Sequence, residues 1–170
     1  MKRLFILMAL CLGVVSCVST QKDKEDEQQR KYSDFLQLPH GLEGYFDYDE
    51  AVEAAQRENK PILIYVTGHA CNNSREMEAW LWSDDQVLKM LRDDFVICAL
   101  YVDDMTKIEG GKRLGKVNSN FAQETWNVNA QPAYILLSPD GETVLAGPRG
   151  YNTDIDGFVE FLKKGKNGVK

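Results

Sequence analysis

Three short apolar runs constrain the fold of this chain more than any other feature. They cover residues 62–66, 95–101 and 133–137, and they contain almost no polar side chains. An apolar run of this length, without polar alternation, is typical of a strand that is buried on both faces. Segments with helical spacing lie between the runs, and Pro61 opens the first of them. This order predicts an α/β protein with a central sheet.

The first helix can be placed from its capping residues. Asp47, followed three residues later by Glu50, forms a capping box that predicts a helix through residue 58. The spacing within that helix predicts that Tyr48, Val52 and Ala55 face the core.

Further helices are expected on both sides of the second run. Met77, Trp80 and Leu81 recur at helical spacing and predict a buried stripe rather than a cofactor site. Ser83 is expected to cap the next helix, and a short helix is expected at about 118–126.

The last part of the chain predicts a hairpin and a closing helix. Residues 133–137 and 143–146 flank the segment 138–141, in which Pro139 and Gly141 suit a type I turn. Thr153 or Asp154 is expected to cap the final helix.

The first sixteen residues have the pattern of an export signal. Lys2 and Arg3 precede an apolar run at 4–15, which is shorter than the roughly 20 residues that a transmembrane helix needs. Residues 14–17 end in Ser16-Cys17 and resemble the lipobox of bacterial lipoproteins, which implies cleavage after residue 16 and a lipid on Cys17. An ordinary secretory signal is the alternative. The lipobox implies a lipid-anchored protein of the bacterial cell envelope, most simply on the periplasmic side, with surface exposure as the alternative.

Composition then divides the rest of the chain. Residues 21–31 contain no apolar side chain, so residues 17–40 are expected to form a lipid anchor and polar tether, and residues 41–170 a single domain. Without residues 1–16 the chain has 18 Lys and Arg against 26 Asp and Glu, a formal charge of −8. That acidity argues against nucleic acid as a partner.

Two cysteines belong to the predicted domain. Cys98 lies within the second apolar run, where a cysteine usually acts as a small hydrophobic residue. Cys71 stands just before a predicted helix, whose unpaired N–H groups and dipole favour a thiolate. A bridge between the two is conceivable in an oxidising compartment, but two free thiols are expected, with Cys71 the more reactive.

Two other segments partly match known kinds of ligand or metal site. Residues 110–116 match the beginning of a phosphate-binding loop, but Val117 stands where Ser or Thr should bind magnesium, so we interpret the segment as a flexible basic loop. Asp103 and Asp104 are interpreted as the end of a strand rather than as a metal or acid–base pair. With only two histidines and no cluster of ligands, no metal and no cofactor are expected.

The chain resembles the thioredoxin superfamily over about residues 44–164, and in particular the periplasmic thioredoxin-like domain at the carboxyl end of thiol:disulfide interchange reductases. The resemblance rests on six segments, which are residues 59–61, 67–68, 75–78, 83–87, 101–104 and 131–132. It implies a thioredoxin-like α/β fold with a central mixed sheet and helices on both faces.

The active loop of that family contains Cys-x-x-Cys. In this chain the corresponding residues 71–74 are Cys-Asn-Asn-Ser, so Ser74 stands at the position of the second cysteine. The resemblance makes Cys71 the nucleophile and places Ser74 where it can donate a hydrogen bond to the thiolate. Ser74 cannot release a mixed disulfide, so release needs an outside thiol. Tyr65 occupies the position of a buried acid in many relatives, and His69 is a candidate for proton transfer, with an idle exposed histidine as the alternative.

The resemblance also implies that Pro132 is a cis proline facing the active loop, and that the backbone of Gln131 pairs with an extended substrate. The expected function is monothiol exchange with protein thiols and disulfides, with a membrane or periplasmic dithiol reductase as a further partner. The alternative is a non-catalytic thioredoxin-like module that binds a partner through its active-loop face.

Overall fold

The computed structural model describes residues 29–169. The predicted signal peptide, the lipid on Cys17 and most of the predicted tether lie outside the described residues. Within residues 29–169, every helix is too short or too polar to cross a bilayer.

Four strands form one mixed sheet: β1 (Ile62–Thr67), β2 (Val96–Tyr101), β3 (Ala133–Leu137) and β4 (Val144–Arg149). Their order in the sheet is β2-β1-β3-β4. β1 and β2 are parallel, whereas β3 runs antiparallel to both β1 and β4. The three apolar runs therefore form the three buried strands, as the sequence predicts.

Five helices flank the sheet: α1 (Tyr48–Glu58), α2 (Asn72–Trp80), α3 (Asp85–Asp94), α4 (Leu114–Trp126) and α5 (Ile155–Gly168). Successive strand residues point to opposite faces. Leu63 and Tyr65 of β1 pack in the same cluster as residues of α2, α3 and α5. Ile62 and Ile64 pack with residues of α1 and α4 on the other face. The fold is thioredoxin-like α/β, with helices on both faces of a mixed sheet.

Only one half of the predicted capping box of α1 forms, because Glu50 Oε2 accepts from Lys31 N–H at 2.9 Å rather than from Asp47 N–H. The inward face of the helix also differs from the prediction. The carboxylate of Asp47 accepts a hydrogen bond from the Glu50 backbone N–H at 3.2 Å. Tyr48 and Val52 are only partly buried. Three alanines make the close contact with the sheet, because only small side chains let the helix approach it: Ala51, Ala54 and Ala55.

The prediction for the segment between α2 and α3 was wrong in two places. Asp84, not Ser83, caps α3, since its carboxylate accepts from the N–H groups of Gln86 and Val87. Ser83 Oγ instead donates back to carbonyls of the last turn of α2. Trp80 is 60% exposed, and Trp82 is buried in its place, because α2 ends at Trp80 and the chain turns there.

The folded domain begins before residue 41, which corrects the predicted end of the tether. Leu36 and Leu38 are buried in the core. The Tyr101 hydroxyl donates to the Gln37 carbonyl, and the His40 ring lies 2.8 Å from the Glu78 carbonyl oxygen. Leu36 and Leu38 therefore anchor this segment to the core, although several residues beside them in the sequence are polar.

The carboxyl-terminal hairpin and helix form as the sequence predicts, although the Asp154 side chain makes no capping hydrogen bond. The Gly141 N–H donates to the Ser138 carbonyl, and Gly141 has a φ of +76°, which a glycine adopts without strain. Asp154 is the N-cap residue of α5, and the helix buries Phe158 and Leu162. The helix predicted at 118–126 begins earlier, at Leu114.

Candidate active site

The buried polar residues of the described chain gather at one end of the sheet. They are Thr67, Ser74, Glu78, Asp104 and Asn118. Thr67 ends β1, Asp104 follows the end of β2, and the Asn118 amide donates to the carbonyl of Tyr101, the last residue of β2. Buried polar groups are costly unless they are paired, so their concentration marks this end of the sheet as a candidate site.

Cys71 lies at this end, at the N-cap position of α2. Its backbone is extended, with φ −85° and ψ 102°, and its carbonyl accepts the first helical hydrogen bond from Arg75 N–H. The side chain does not cap the helix and is partly exposed. The thiol is therefore accessible and stands at the amino-terminal end of α2.

The segment before β3 faces this thiol. Cys71 Sγ lies 3.5 Å from the Gln131 carbonyl oxygen, and the Gln131–Pro132 peptide bond is cis, as expected. Gly68 lies against the Gln131 side chain, since a Cβ there would be 2.8 Å from Gln131 Oε1. The structure thus brings Cys71, Gln131 and Pro132 together, while the pairing of Gln131 with a substrate stays a prediction.

Asp103 holds the backbone of the active loop in place. Its two carboxylate oxygens accept from the N–H groups of His69 at 2.8 Å and Ala70 at 3.0 Å. The carboxylate also lies against Gly68, where a Cβ would be 2.9 Å from Asp103 Oδ2. Asp103 therefore positions the residues that lead into Cys71.

Asp104 holds the ring of His69. His69 Nε2 lies 2.8 Å from Asp104 Oδ2, and the ring stacks on Tyr101 with centroids 4.5 Å apart. Burial acts to raise the pKa of Asp104, but hydrogen bonds from His69 and Thr106 outweigh it and hold that pKa below its ordinary value. The ring makes no hydrogen bond to Cys71 among the described contacts, so proton transfer by His69 stays a prediction.

The roles of these two aspartates were missed at the sequence level. The sequence prediction places Asp103 and Asp104 at the end of a strand, but β2 ends at Tyr101 and both residues follow it. The useful signal is their place at the carboxyl end of a strand parallel to β1, since such ends meet at one edge of the sheet.

Ser74 does not make the hydrogen bond that the sequence predicts. Its side chain is fully buried, and its hydroxyl has no hydrogen-bond partner, whether Cys71 or any other described group. The first turn of α2 points this hydroxyl into the protein, whereas Cys71 lies at the surface. Ser74 is therefore a buried residue of α2 whose hydroxyl makes no hydrogen bond to the sulfur.

Tyr65 is linked to an acid that the sequence prediction did not identify. The Tyr65 hydroxyl donates to Glu78 Oε1 at 2.8 Å, and Arg75 Nη2 donates to the same oxygen at 2.7 Å. Arg75 also donates to Thr67 Oγ1 at 3.1 Å. A buried carboxylate is thus present beneath the active loop, supplied by α2 rather than by β1.

Burial dominates the electrostatics of this pair. It raises the pKa of Glu78, although Tyr65 and Arg75 act in the opposite direction. Burial, and then the charge of Glu78, raise the pKa of the Tyr65 hydroxyl. A carboxyl with a raised pKa exchanges a proton more readily near neutral pH than an exposed one does.

Cys98 differs from Cys71 in every respect that matters for reactivity. It is fully buried among apolar side chains on the face covered by α1 and α4. Burial raises the pKa of its thiol. Both cysteines are free thiols, as expected.

Comparison with known proteins agrees with this geometry. A thioredoxin-like family model matches residues 43–139. The human spermatogenesis-associated protein 20 is 26% identical over 98 residues, which is 58% of this chain. The match covers only 12% of that protein's length.

Three solved structures share the fold. A DsbH oxidoreductase has a TM-score of 0.59 at 16% identity, covering 78% of this chain and 91% of its own. A disulphide isomerase from Xylella fastidiosa has a TM-score of 0.55 at 18% identity, covering 76% and 97%. The reduced DsbD carboxyl-terminal domain of Neisseria meningitidis has a TM-score of 0.51 at 16% identity, covering 69% and 92%.

Two of these neighbours are named as an oxidoreductase and a disulphide isomerase, and at these identities all three establish the fold alone. The family model matches more than half of the chain and spans the active loop, β1, β2 and β3. The chain therefore belongs to the thioredoxin-like family.

Proposed function

We propose that this protein is a monothiol thiol:disulfide exchange protein of the bacterial cell envelope, in which Cys71 forms mixed disulfides with protein substrates. The observation that carries the proposal is the position of Cys71 Sγ. It is partly exposed, stands at the start of α2, and lies 3.5 Å from the Gln131 carbonyl oxygen. Nucleophilic cysteines favour such accessible helix N-termini.

The chemistry needs no cofactor. The Cys71 thiolate attacks one sulfur of a substrate disulfide, a bond forms between Cys71 and that sulfur, and the other substrate sulfur leaves as a thiolate. The proton that Cys71 loses passes to solvent or to the leaving sulfur. Since position 74 is serine, an external thiol must then attack the mixed disulfide and release Cys71.

The arrangement beside Cys71 supports binding of an extended substrate. The Gln131 backbone lies next to the sulfur, and its segment precedes β3 at the edge of the active loop. A substrate strand pairing with this backbone would present its disulfide to Cys71. A membrane or periplasmic dithiol reductase is the partner we propose for regenerating the free thiol.

Capture of a disulfide-bonded protein tests the proposal. The purified chain is incubated with insulin under non-reducing conditions, and the mixed disulfide is measured as a shift in molecular mass that dithiothreitol reverses. We expect an adduct with wild type and with Cys98→Ala, and none with Cys71→Ala. Equal capture by wild type and Cys71→Ala overturns the proposal and favours the non-catalytic binding module.

The envelope location is proposed from the leader. Lys2, Arg3, the apolar run and Cys17 together have the pattern of a lipoprotein signal. Expression in a bacterium with an alkyne-labelled fatty acid tests it, with Cys17→Ala as the matched control. We expect lipid label in wild type only, together with recovery in the membrane fraction; label retained by Cys17→Ala rules out that site of attachment.

A further inference from the structure

The segment at residues 110–116, which the sequence predicts to be a flexible basic loop, is part of a short hairpin in the structure. We call residues 105–116 the basic hairpin. Lys107 and Arg113 form an antiparallel bridge, and Ile108 N–H donates to the Lys112 carbonyl at 2.9 Å. Gly110 and Gly111 turn the chain with φ values of +77° and +71°. The last three residues of the hairpin, 114–116, are the first residues of α4.

The hairpin carries four cationic side chains that form no ion pair among the described residues. Lys107, Lys112, Arg113 and Lys116 are exposed, and they form no ion pair with any residue in 29–169. Elsewhere in the described chain most basic side chains are paired with acids, as in Lys89 with Asp93. Unpaired positive charge is therefore concentrated here, in a chain whose formal net charge is −6.

Asp104 links the hairpin to the active loop. Gly115 N–H donates to the Asp104 carbonyl, and Thr106 N–H donates to the Asp104 carboxylate at 2.8 Å. Asp104 in turn holds the ring of His69, two residues before Cys71. The hairpin that carries these cations is therefore connected through Asp104 to the residues that lead into Cys71.

The neighbouring acids form no ion pair with these cations. Asp103 and Asp104 direct their oxygens at His69, at Ala70 N–H and at Thr106 N–H. Glu109 is the one exposed acid within the hairpin. Met105 is 63% exposed, and its sulfur accepts a hydrogen bond from Arg113 Nη1 at 3.4 Å.

We propose that the basic hairpin selects substrates in which an acidic peptide segment lies next to the disulfide. This inference rests on the proposed exchange function of Cys71 and names its substrate class. Positive charge next to the site raises the local concentration of an anionic substrate that the rest of this acidic chain repels. Apart from that attraction, the exchange step is unchanged: Cys71 bonds to one substrate sulfur, and the other leaves as a thiolate.

Two small disulfides of different charge test the selection. The dianion 5,5′-dithiobis(2-nitrobenzoate) and the neutral 2,2′-dithiodipyridine both release a coloured thiol, so their second-order rate constants with Cys71 can be measured by stopped flow. The rate of Cys71→Ala is subtracted from each. The compared variants are wild type, Lys107→Glu/Lys112→Glu and the matched control Lys164→Glu, which changes an exposed lysine on α5.

We expect the ratio of anionic to neutral rate constants to fall about tenfold in the double variant at low ionic strength. The ratio should be unchanged in Lys164→Glu, and the effect should largely disappear at high salt. Lys107→Ala/Lys112→Ala should give a smaller fall of the same sign.

The outcomes separate this inference from the function on which it rests. A ratio that stays constant in both double variants, while Cys71 still reacts with the neutral probe, overturns the selection by charge alone. No Cys71-dependent reaction with either probe in wild type overturns the exchange function and the inference with it.

Discussion

The two cysteines of the domain show how position in one fold gives the same side chain opposite properties. Cys71 stands where a helix begins, partly exposed and with unpaired backbone N–H groups behind it. Cys98 stands in the middle of β2, with apolar side chains around it and a pKa raised by burial. The first position leaves the sulfur accessible, whereas the second buries it and disfavours its charged form.

The largest expected difference is in alkylation. Under native conditions iodoacetamide should modify Cys71 at least about 10³-fold faster than Cys98, because Cys98 becomes accessible only when the core opens. Peptide mass spectrometry over time measures both rates in one sample. In concentrated urea the two rates should converge, and similar rates in the native protein would contradict the comparison.

The same substitution at the two positions should have opposite effects on stability. Cys98→Asp places a carboxylate in an apolar core and should lower the free energy of unfolding by about 3 kcal/mol or more. Cys71→Asp introduces a preferred N-cap residue and should raise it by up to about 1 kcal/mol. Urea unfolding measures both, and a loss of stability in Cys71→Asp would show that the start of α2 is not as open as described.

A smaller effect is expected from the residue that holds the active loop. Asp103→Ala removes the acceptor for two backbone N–H groups and should cost about 1 kcal/mol, since water can reach these groups. Amide exchange at His69 and Ala70 should become faster, while exchange at Cys98 stays slow. Asp103→Asn retains one acceptor oxygen and should lie between Asp103→Ala and wild type.

The smallest effect concerns the acid beneath the active loop. Because the pKa of Glu78 is raised in the folded state, the native protein holds this proton more tightly than the unfolded chain does. The free energy of unfolding of wild type should therefore fall, relative to Glu78→Gln, as the pH rises from the ordinary value of 4.5 through the raised pKa.

Glu76→Gln serves as the control for this comparison, because it alters an exposed glutamate on the same helix. Urea unfolding between about pH 4 and 8 measures the difference. A difference between wild type and Glu78→Gln that stays constant over this range contradicts the raised pKa.

Much of the framework follows from local patterns. Continuous apolar runs predict β1, β2 and β3 because a strand buried on both faces tolerates no alternation. The turn at residues 138–141 and the Asp47 cap depend on contacts within a few residues, so both are visible without the fold. The errors at Ser83 and Trp80 arose where two helices meet, since a shift of one residue changes the cap and the buried tryptophan.

The candidate active site likewise has features that the sequence predicts and features that it does not. Residue type and a place before a helix were enough to single out Cys71, because backbone N–H groups at a helix start are a local property. The partners of the loop were not visible, since Asp103 and Asp104 lie more than thirty residues from His69 along the chain. Leu36 and Leu38 were assigned to a tether for a similar reason, because their burial depends on distant core residues.

What the amino-acid sequence alone determined is the order of elements, the choice of Cys71 as the proposed nucleophile and the presence of serine at position 74. These follow from apolar periodicity and residue chemistry, which act over one or two turns of chain. The tertiary structure decided the rest: the buried hydroxyl of Ser74, the acid supplied by Glu78, the aspartates that hold the active loop, and the basic hairpin beside it. Each of these depends on which strand ends meet at one edge of the sheet, and only the packed fold brings those ends together.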